Sequence, residues 1–292
     1  FLQKSLIYVK EFVDAYVLDS LATTSVSFQK KLAATGIHCQ HIIETSVSMK
    51  TFHPSKRKNT LREELTFGNK DAFLCIYTGR ISNEKRIDLI LGAVQKLENA
   101  YLAVVGDGPI APKFASMHGS ENRLYCKPGF CNHEALSAFY ASSDVHVSGS
   151  EFETLGNTVL EAHACGIPVV VPLTQGFRDT VTHGEDGFLF RAGDQADAIQ
   201  YLERIQKDSQ LRLQMGTAGL KKVKKNTVES VVSDLGRWYD LGVQRRRNRN
   251  ILYRLASAFA MVLTIPTGVI SLGIYDMLMA FLAVFNYVPN AM

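Results

Sequence analysis

The sequence contains no C-x-x-C pair. Its five cysteines, Cys39, Cys75, Cys126, Cys131 and Cys165, are odd in number and scattered, which excludes a disulfide framework and a structural zinc site and points to a reducing compartment. Charge of one sign is also scarce in excess: 32 Lys and Arg stand against 28 Asp and Glu, for a formal net charge of +4. No basic stripe interleaved with aromatics occurs, so a nucleic-acid partner is excluded. There is no internal repeat and no low-complexity segment. A complete dinucleotide fingerprint is missing too, because Gly106-Asp107-Gly108 is followed by Ala111 where the third glycine would stand. That excludes a nicotinamide-dependent oxidoreductase, which needs the full motif after a strand. Finally, Phe1 to Val13 lacks the charged start, apolar core and small-residue cleavage site of a signal peptide, and the first residue is not Met, so the expectation is a true N-terminus further upstream.

What is present is the composition of a globular protein. The 292 residues are 46% hydrophobic and 21% charged, with 21 glycines, enough for one large domain or two ordinary ones. The middle of the chain alternates short β-branched or aromatic runs with longer helical patterns, the signature of repeated βαβ units around a parallel sheet. Strands are predicted at Phe73–Thr78, Tyr101–Val105, Leu124–Cys126, Val145–Ser148 and Pro168–Val171, with helices near Arg86–Leu97, Pro109–His118, Asn132–Ala141 and Gly156–Cys165. Asn132 is a good N-cap, and Gly166 followed by Pro168 stops the fourth helix. Upstream, Ala15–Leu18 and His41–Glu44 read as strands around a helix Ser25–Ala34 with Gly36 past its end, a βαβ piece without a core of its own. The polar stretch Ser55–Asn59 reads as a linker. Downstream, Asp194–Gln206, Gln210–Lys222 and Val228–Val243 read as helices, the last carrying the single tryptophan, Trp238.

Three loops follow predicted strands, where open parallel sheets bind ligands. In the first, Gly79-Arg80-Ile81-Ser82-Asn83-Glu84-Lys85, an arginine and a lysine bracket the turn into a helix and could clamp an anion, Arg bidentately and Lys as a point charge. Read alone, the same residues also suit a helix start with solvated charges. The second, Gly106-Asp107-Gly108-Pro109, is better read as a structural turn, with Pro109 opening the next helix. The third runs Ser150-Glu151-Phe152-Glu153-Thr154-Leu155-Gly156-Asn157-Thr158-Val159-Leu160-Glu161-Ala162. A helix starting near Gly156 offers unpaired N–H groups and the positive end of its dipole to a diphosphate, and glycine allows close approach. Glu161 lies one and a half turns on, with its side chain leaning back toward that end, within reach of a ribose. Glu153 would face the sugar. The plainer alternative is two ordinary carboxylates near a helix start, which the dipole favours anyway.

Glu153 and Glu161, seven residues between them after a strand, resemble the E-x7-E signature of glycosyltransferase family 4, retaining enzymes of the GT-B fold. The likeness runs from about Val17 to Arg191 and takes in Gly79-Arg80 with Lys85, Val105-Gly106-Asp107-Gly108-Pro109, Ser143-Asp144-Val145 and Ala164-Cys165-Gly166-Ile167-Pro168-Val169-Val170. It implies a Rossmann-like C-terminal domain that binds a nucleotide sugar without a metal or other cofactor, faced by an N-terminal domain that binds the acceptor. It further implies that Arg80 and Lys85 hold the diphosphate, that Glu153 and the backbone of Thr154, Leu155 and Gly156 contact donor sugar and phosphates, that Glu161 holds the ribose, and that Gly79 and the Gly129-Phe130 loop line the donor, the latter against the base. Glu153-Thr154-Leu155-Gly156 and Asn99 to Pro109 are most similar to the sulfolipid synthases, which transfer sulfoquinovose from a UDP donor to diacylglycerol. Two departures stand out. Ser46-Val47-Ser48 replaces the usual Gly-Val-Asp turn, and most of the N-terminal domain is absent.

From Leu255 to Tyr275 there are 21 residues without a charged side chain, just after Arg245-Arg246-Arg247 and Arg249. That length can span a bilayer, with the basic flank on the cytosol-facing side, and Pro266 and Gly268 would kink it, so an in-plane hairpin also fits. A soluble helix buried on the domain is the alternative. The expected organisation is therefore an acceptor-side remnant and crossover at 1–54, a nucleotide-sugar-binding domain at 55–225, a helix and basic linker at 226–250 and a membrane-associated tail at 251–292. The expected partners are a nucleotide sugar, a lipid or glycan acceptor and a membrane. The expected place is an intracellular membrane, a plastid one for a sulfolipid synthase and otherwise the cytosolic face of an endomembrane. The competing reading is a nucleotide-sugar-binding or membrane-tethered regulatory module without turnover.

Overall fold

The computed structural model describes residues 21–34, 37–43, 45–153 and 155–248. The expected strand at Ala15–Leu18, Gly36, Glu44, Thr154 and the apolar tail from Leu255 lie outside the described residues. Among the described residues, no helix is long and apolar enough to cross a membrane.

The described residues fall into two compact units. The smaller includes a two-stranded parallel pair, β1 (Ala22–Thr23) and β2 (His41–Ile42), in register Ala22 to His41 and Thr23 to Ile42. Within it, His41 Nε2 lies 2.6 Å from Asp234 Oδ2, and the imidazole stacks on Trp238 at 6.2 Å. Helix α1 (Val26–Ala34) matches the helix read at Ser25–Ala34.

The larger unit holds α2 (Asn59–Leu65) and a parallel sheet of six strands: β3 (Phe73–Thr78), β4 (Ala100–Gly106), β5 (Leu124–Pro128), β6 (Val145–Val147), β7 (Val169–Pro172) and β8 (Gly187–Phe190). Its strand order is β5-β4-β3-β6-β7-β8, all neighbours parallel. Between the strands run α3 (Ile87–Lys96), α4 (Ala111–Ala115), α5 (His133–Ala141), α6 (Asn157–Ala164) and α7 (Gln175–Thr180). After β8 come α8 (Gln195–Lys207) and α9 (Ser209–Val223), and α10 (Val228–Asn248) begins in this unit and passes at Asp234 into the smaller one.

Every residue of β3 is buried, as expected for a central strand covered on both faces. Its alternate side chains divide the core. Phe73, Cys75 and Tyr77 pack with Ile87, Ile90 and Val94 of α3 and Leu202 of α8, whereas Leu74 and Ile76 pack with Phe139 and Tyr140 of α5, Val159 and Ala162 of α6 and Phe177 of α7. Arg62 of α2 anchors the lower end of the sheet. Its guanidinium lies 2.7 Å from Asp144 Oδ2 and donates to the Ala72 carbonyl, while the Leu74 N–H donates to that same carboxylate oxygen at 2.8 Å.

Local chemistry accounts for most element boundaries. Asn132, Asp194 and Asp208 each accept a backbone N–H three residues on and so open α5, α8 and α9. Gly166, at φ +75°, ends α6. The first loop enters its helix differently, through a 3-10 turn at Asn83–Lys85 and a left-handed Arg86 at φ 46°. One expectation needs correction. Pro109 does not open a helix: α4 starts at Ala111, after Pro109 and Ile110 have formed the turn, and Pro112 sits in its first turn. Of the stretch Ser55–Asn59 read as a linker, Ser55 and Lys56 belong to the 3-10 helix Pro54–Lys56 and Asn59 begins α2. The short α7 and the edge strand β8 carry too little periodicity to stand out from sequence.

Candidate functional site

Because β4 lies on one side of β3 and β6 on the other, the sheet changes winding direction between β3 and β6. A crevice opens at the carboxyl ends of strands at such a point. The loop after β3 (residues 79–86) and the loop after β6 (residues 148–156) meet there.

On the side of β4 the first loop is fastened by backbone hydrogen bonds. Gly79 N donates to the Val105 carbonyl at 3.1 Å, Ile81 N to Asp107 O at 2.8 Å, Ile110 N to Ile81 O at 3.2 Å and Gly129 N to Gly106 O at 3.0 Å. Gly79, Gly106 and Gly129, at φ +130°, +148° and +100°, therefore form a row along the tips of β3, β4 and β5. A Cβ on Gly106 would collide with the Gly79 carbonyl, so the turn at Gly106–Pro109 supports the basic loop by close backbone contact. Beneath it the Tyr77 hydroxyl donates to the Arg80 carbonyl at 2.7 Å, and burial, then the nearby Glu153 charge, push that phenol above its ordinary range. The Arg80 side chain is exposed and makes no ion pair among the described residues. Phe130, beyond Gly129, is 91% exposed.

Across the crevice, Lys85 Nζ lies 3.1 Å from Glu153 Oε2 and 3.3 Å from Ser150 Oγ. A second bridge runs alongside, with Arg86 Nη1 3.0 Å from Glu151 Oε1. Glu153 is tied at three points: its carboxylate to Lys85, its other oxygen to the Gly156 N–H at 3.4 Å, and its carbonyl to Gly176 N at 2.9 Å. Gly156 is the N-cap of α6 at φ 80°, and a Cβ there would come within 2.9 Å of the Phe177 ring. Both facts demand glycine. The Glu153 carboxylate occupies the position at this helix start where the dipole and free amides favour an anion.

Glu161, on α6, is largely buried. Its Oε2 accepts the Tyr140 hydroxyl at 2.9 Å, and burial raises its pKa while that bond and His133 oppose the rise. Behind it, His146 is fully buried. Its Nδ1 lies 3.0 Å from the Ile76 carbonyl, which can only accept, so Nδ1 carries the proton and Nε2 accepts from Thr158 Oγ1 at 3.1 Å. Burial depresses that imidazole to about 3, which keeps this neutral tautomer. His146 thereby ties the first turn of α6 to β3.

The structure thus brings Lys85, Glu153, Leu155, Gly156 and Glu161 along one helix start, with Gly79 and Arg80 on the facing loop, and leaves Gly129 and Phe130 at the far tip of β5. Thr154 lies outside the described residues. Ser150, Tyr140, Thr78 and His146 were not singled out from sequence. Ser150 stands inside the motif segment and could have been, whereas Tyr140, Thr78 and His146 sit in apolar runs that read as core.

Comparisons with known proteins place these features in context. The Arabidopsis thaliana sulfoquinovosyl transferase SQD2 is 32% identical over 213 residues, 71% of this chain and 41% of that protein. The GDP-mannose-dependent alpha-mannosyltransferase of Corynebacterium glutamicum is 28% identical over 220 residues, 75% of this chain and 52% of that protein. The chain thus spans about half or less of the length of these relatives. Among solved structures, Anabaena HepE in complex with UDP and glucose superposes with a TM-score of 0.68 at 20% identity, covering 76% of this chain and 63% of HepE. Sucrose-phosphate synthase from Thermosynechococcus elongatus gives 0.66 at 23% identity, covering 75% of this chain and 57% of that one. These likenesses show a shared fold, a parallel α/β sheet of the GT-B kind. Residues 58–222, which carry both loops, the Lys85–Glu153 pair and Glu161, match the family described as glycosyl transferases group 1, and the chain belongs to that family.

Proposed function

We propose that this chain carries the donor-binding half of a retaining glycosyltransferase and that its donor is a UDP-sugar. The observation that carries the reading is the pairing of Lys85 with Glu153 at the start of α6, one and a half turns before the buried Glu161. In this reading Arg80 and Lys85 take the diphosphate, the amides of Leu155 and Gly156 meet the phosphates and donor sugar, and Glu153 leaves Lys85 to bind a sugar hydroxyl. Thr154 joins them through its backbone. Glu161 accepts the ribose hydroxyls, Gly79 lets the diphosphate lie against the basic loop, and Gly129 and Phe130 flank the base. Departure of the nucleoside diphosphate builds negative charge next to Arg80 and Lys85, and fixed cations aimed at that charge lower the barrier more in the transition state than in the ground state.

The likeness to the sulfoquinovosyl transferase SQD2 supports sulfoquinovose as the sugar, and the resemblance of Glu153-Thr154-Leu155-Gly156 to the sulfolipid synthases supports a diacylglycerol as the acceptor. The relative named alpha-monoglucosyldiacylglycerol synthase, 27% identical over 180 residues, also points to a lipid acceptor. An apolar segment from Leu255 to Tyr275 would bring the site to an intracellular membrane where such an acceptor resides. The division into a donor domain at 55–225, an acceptor-side piece before it and a membrane-associated tail after 250 belongs to the same reading.

The test is titration of the 292-residue chain with UDP, GDP and ADP by calorimetry, followed by titration with UDP-sulfoquinovose and UDP-glucose. Binding of UDP in preference to GDP and ADP, and of UDP-sulfoquinovose in preference to UDP-glucose, is expected. Failure of all three nucleotides to bind overturns the donor site, and preference for UDP-glucose overturns the choice of sugar.

A further inference from the structure

Tyr140 is wholly buried, and its hydroxyl is the middle of a chain of three side chains. Tyr140 donates its proton to Glu161 Oε2 at 2.9 Å, so the short contact to Thr78 Oγ1 must be one in which Thr78 donates. Thr78 is the last residue of β3, immediately before Gly79 and Arg80. The chain Thr78 to Tyr140 to Glu161 therefore runs from the root of the basic loop, through α5, to the carboxylate on α6. The ring itself is wedged between Phe52 at 6.1 Å and His146 at 5.6 Å, each nearly edge-on. A phenylalanine would fill that slot equally well. Only the hydroxyl distinguishes tyrosine here, and that hydroxyl has both its partners in the site.

We propose that Tyr140 is a positioning residue whose hydroxyl, itself oriented by Thr78, holds the Glu161 carboxylate in the orientation that accepts the ribose hydroxyls of a nucleoside diphosphate. The proposal rests on the assignment of Glu161 to the ribose. A carboxylate turns about its own bond unless something fixes it, and a donor on one oxygen sets the plane of the group while leaving the other oxygen to accept. The serial arrangement also strengthens each bond, because the Thr78 proton polarises the phenol that donates to Glu161. The charge on Glu161 is affected as well. Burial raises its pKa, the Tyr140 bond and the His133 imidazole lower it, and Cys165 on the same helix shares its field. Loss of the Tyr140 hydroxyl removes the strongest of the groups favouring the charged form, so protonation of Glu161 moves to higher pH.

The experiment compares the wild-type 292-residue chain with Tyr140→Phe, titrating UDP and 2′,3′-dideoxy-UDP across the acid range. Wild type is expected to prefer UDP. Tyr140→Phe is expected to bind UDP about tenfold more weakly, about 1.4 kcal/mol, with dideoxy-UDP unchanged and the acid limb of UDP binding shifted to higher pH. Adding Glu161→Gln to Tyr140→Phe is expected to give no more loss than Glu161→Gln alone, because both act through one carboxylate. Equal loss of both nucleotides, or no loss of either, overturns the positioning role and leaves the ribose assignment standing. A wild type that does not distinguish the two nucleotides overturns the ribose assignment and this inference with it. Should Tyr140→Phe not fold, Thr78→Val decides: selective weakening of UDP supports the chain of bonds, and unaltered discrimination overturns it.

Discussion

Lys85 and Glu153, one on each of the two loops that face across the crevice, are joined at 3.1 Å, so the lysine assigned to the diphosphate is held by the glutamate assigned to the sugar. In the proposed reading a bound donor separates them. Substituting one or the other then has opposite effects on a nucleotide without a sugar. Lys85→Ala removes a charge-assisted donor of about 1.5–3 kcal/mol and is expected to weaken UDP binding about tenfold to a hundredfold. Glu153→Gln frees Lys85 and is expected to strengthen UDP binding several-fold while weakening binding of the UDP-sugar relative to UDP. Calorimetry on both variants checks the pair, and weakening of UDP by Glu153→Gln would count against the competition.

Gly156 should not tolerate a side chain. Its φ of 80° costs a non-glycine residue about 1–2 kcal/mol, and a Cβ would press on Phe177 at 2.9 Å. Gly68, at φ +84° with open space around it, supplies the control. Gly68→Ala is expected to lose only the backbone cost in denaturant unfolding. Gly156→Ala is expected to lose more, and to bind UDP more weakly because the amides of the first turn of α6 are displaced.

Two buried imidazoles make the fold sensitive to acid. Burial lowers His146 to about 3 and His163 to about 4, from an ordinary 6.5. Above pH 6.5 both are neutral whether the chain is folded or not, and their contribution is fully present. As pH falls the unfolded chain takes up protons first, so stability declines from about pH 6.5 down to about 4 and below, at about 1.4 kcal/mol per unit for each group. Denaturant midpoints measured across that window should fall with pH, and His146→Asn or His163→Asn should flatten the slope.

Lys222 reaches from α9 to Asp186 at 2.7 Å and also donates to the Thr180 carbonyl at 2.7 Å and to Thr182 Oγ1 at 2.9 Å. Asp186 is buried, so Lys222→Met strands a carboxylate. Breaking a buried pair costs about 3–5 kcal/mol, and the low end is expected because Lys222 remains partly solvated. Thermal unfolding checks this, and Lys222→Met with Asp186→Asn should recover part of the loss.

Much of the larger unit was legible in its sequence because its signals are local. The run Phe73–Thr78 was read to the residue, and Asn132 caps its helix as its side chain requires. The candidate residues of the acidic loop could be found because glycine, acid and helix start lie within nine residues of one another. Their supports could not. Tyr140, Thr78 and His146 act through partners 12 to 70 residues away, and a tyrosine or histidine in an apolar run looks the same whether its polar atom has a task or only a bond. Nor did spacing reveal that Lys85 and Glu153 pair with each other, since that depends on β3 and β6 being neighbours.

That adjacency divides the site in two along the chain. The two cations assigned to the diphosphate, Arg80 and Lys85, hang from β3 and the two assigned glutamates, Glu153 and Glu161, follow β6, and the chain passes from one set to the other through the Gly129–Asn132 loop, where Phe130 is almost wholly exposed. A single protease nick there would yield two pieces, one with Arg80 and Lys85, the other with Glu153 and Glu161. Neither would have a complete site, and only their reassembly along the β3–β6 seam would restore one. The domain is thus a natural candidate for fragment complementation, with nucleotide binding reporting that the seam has closed.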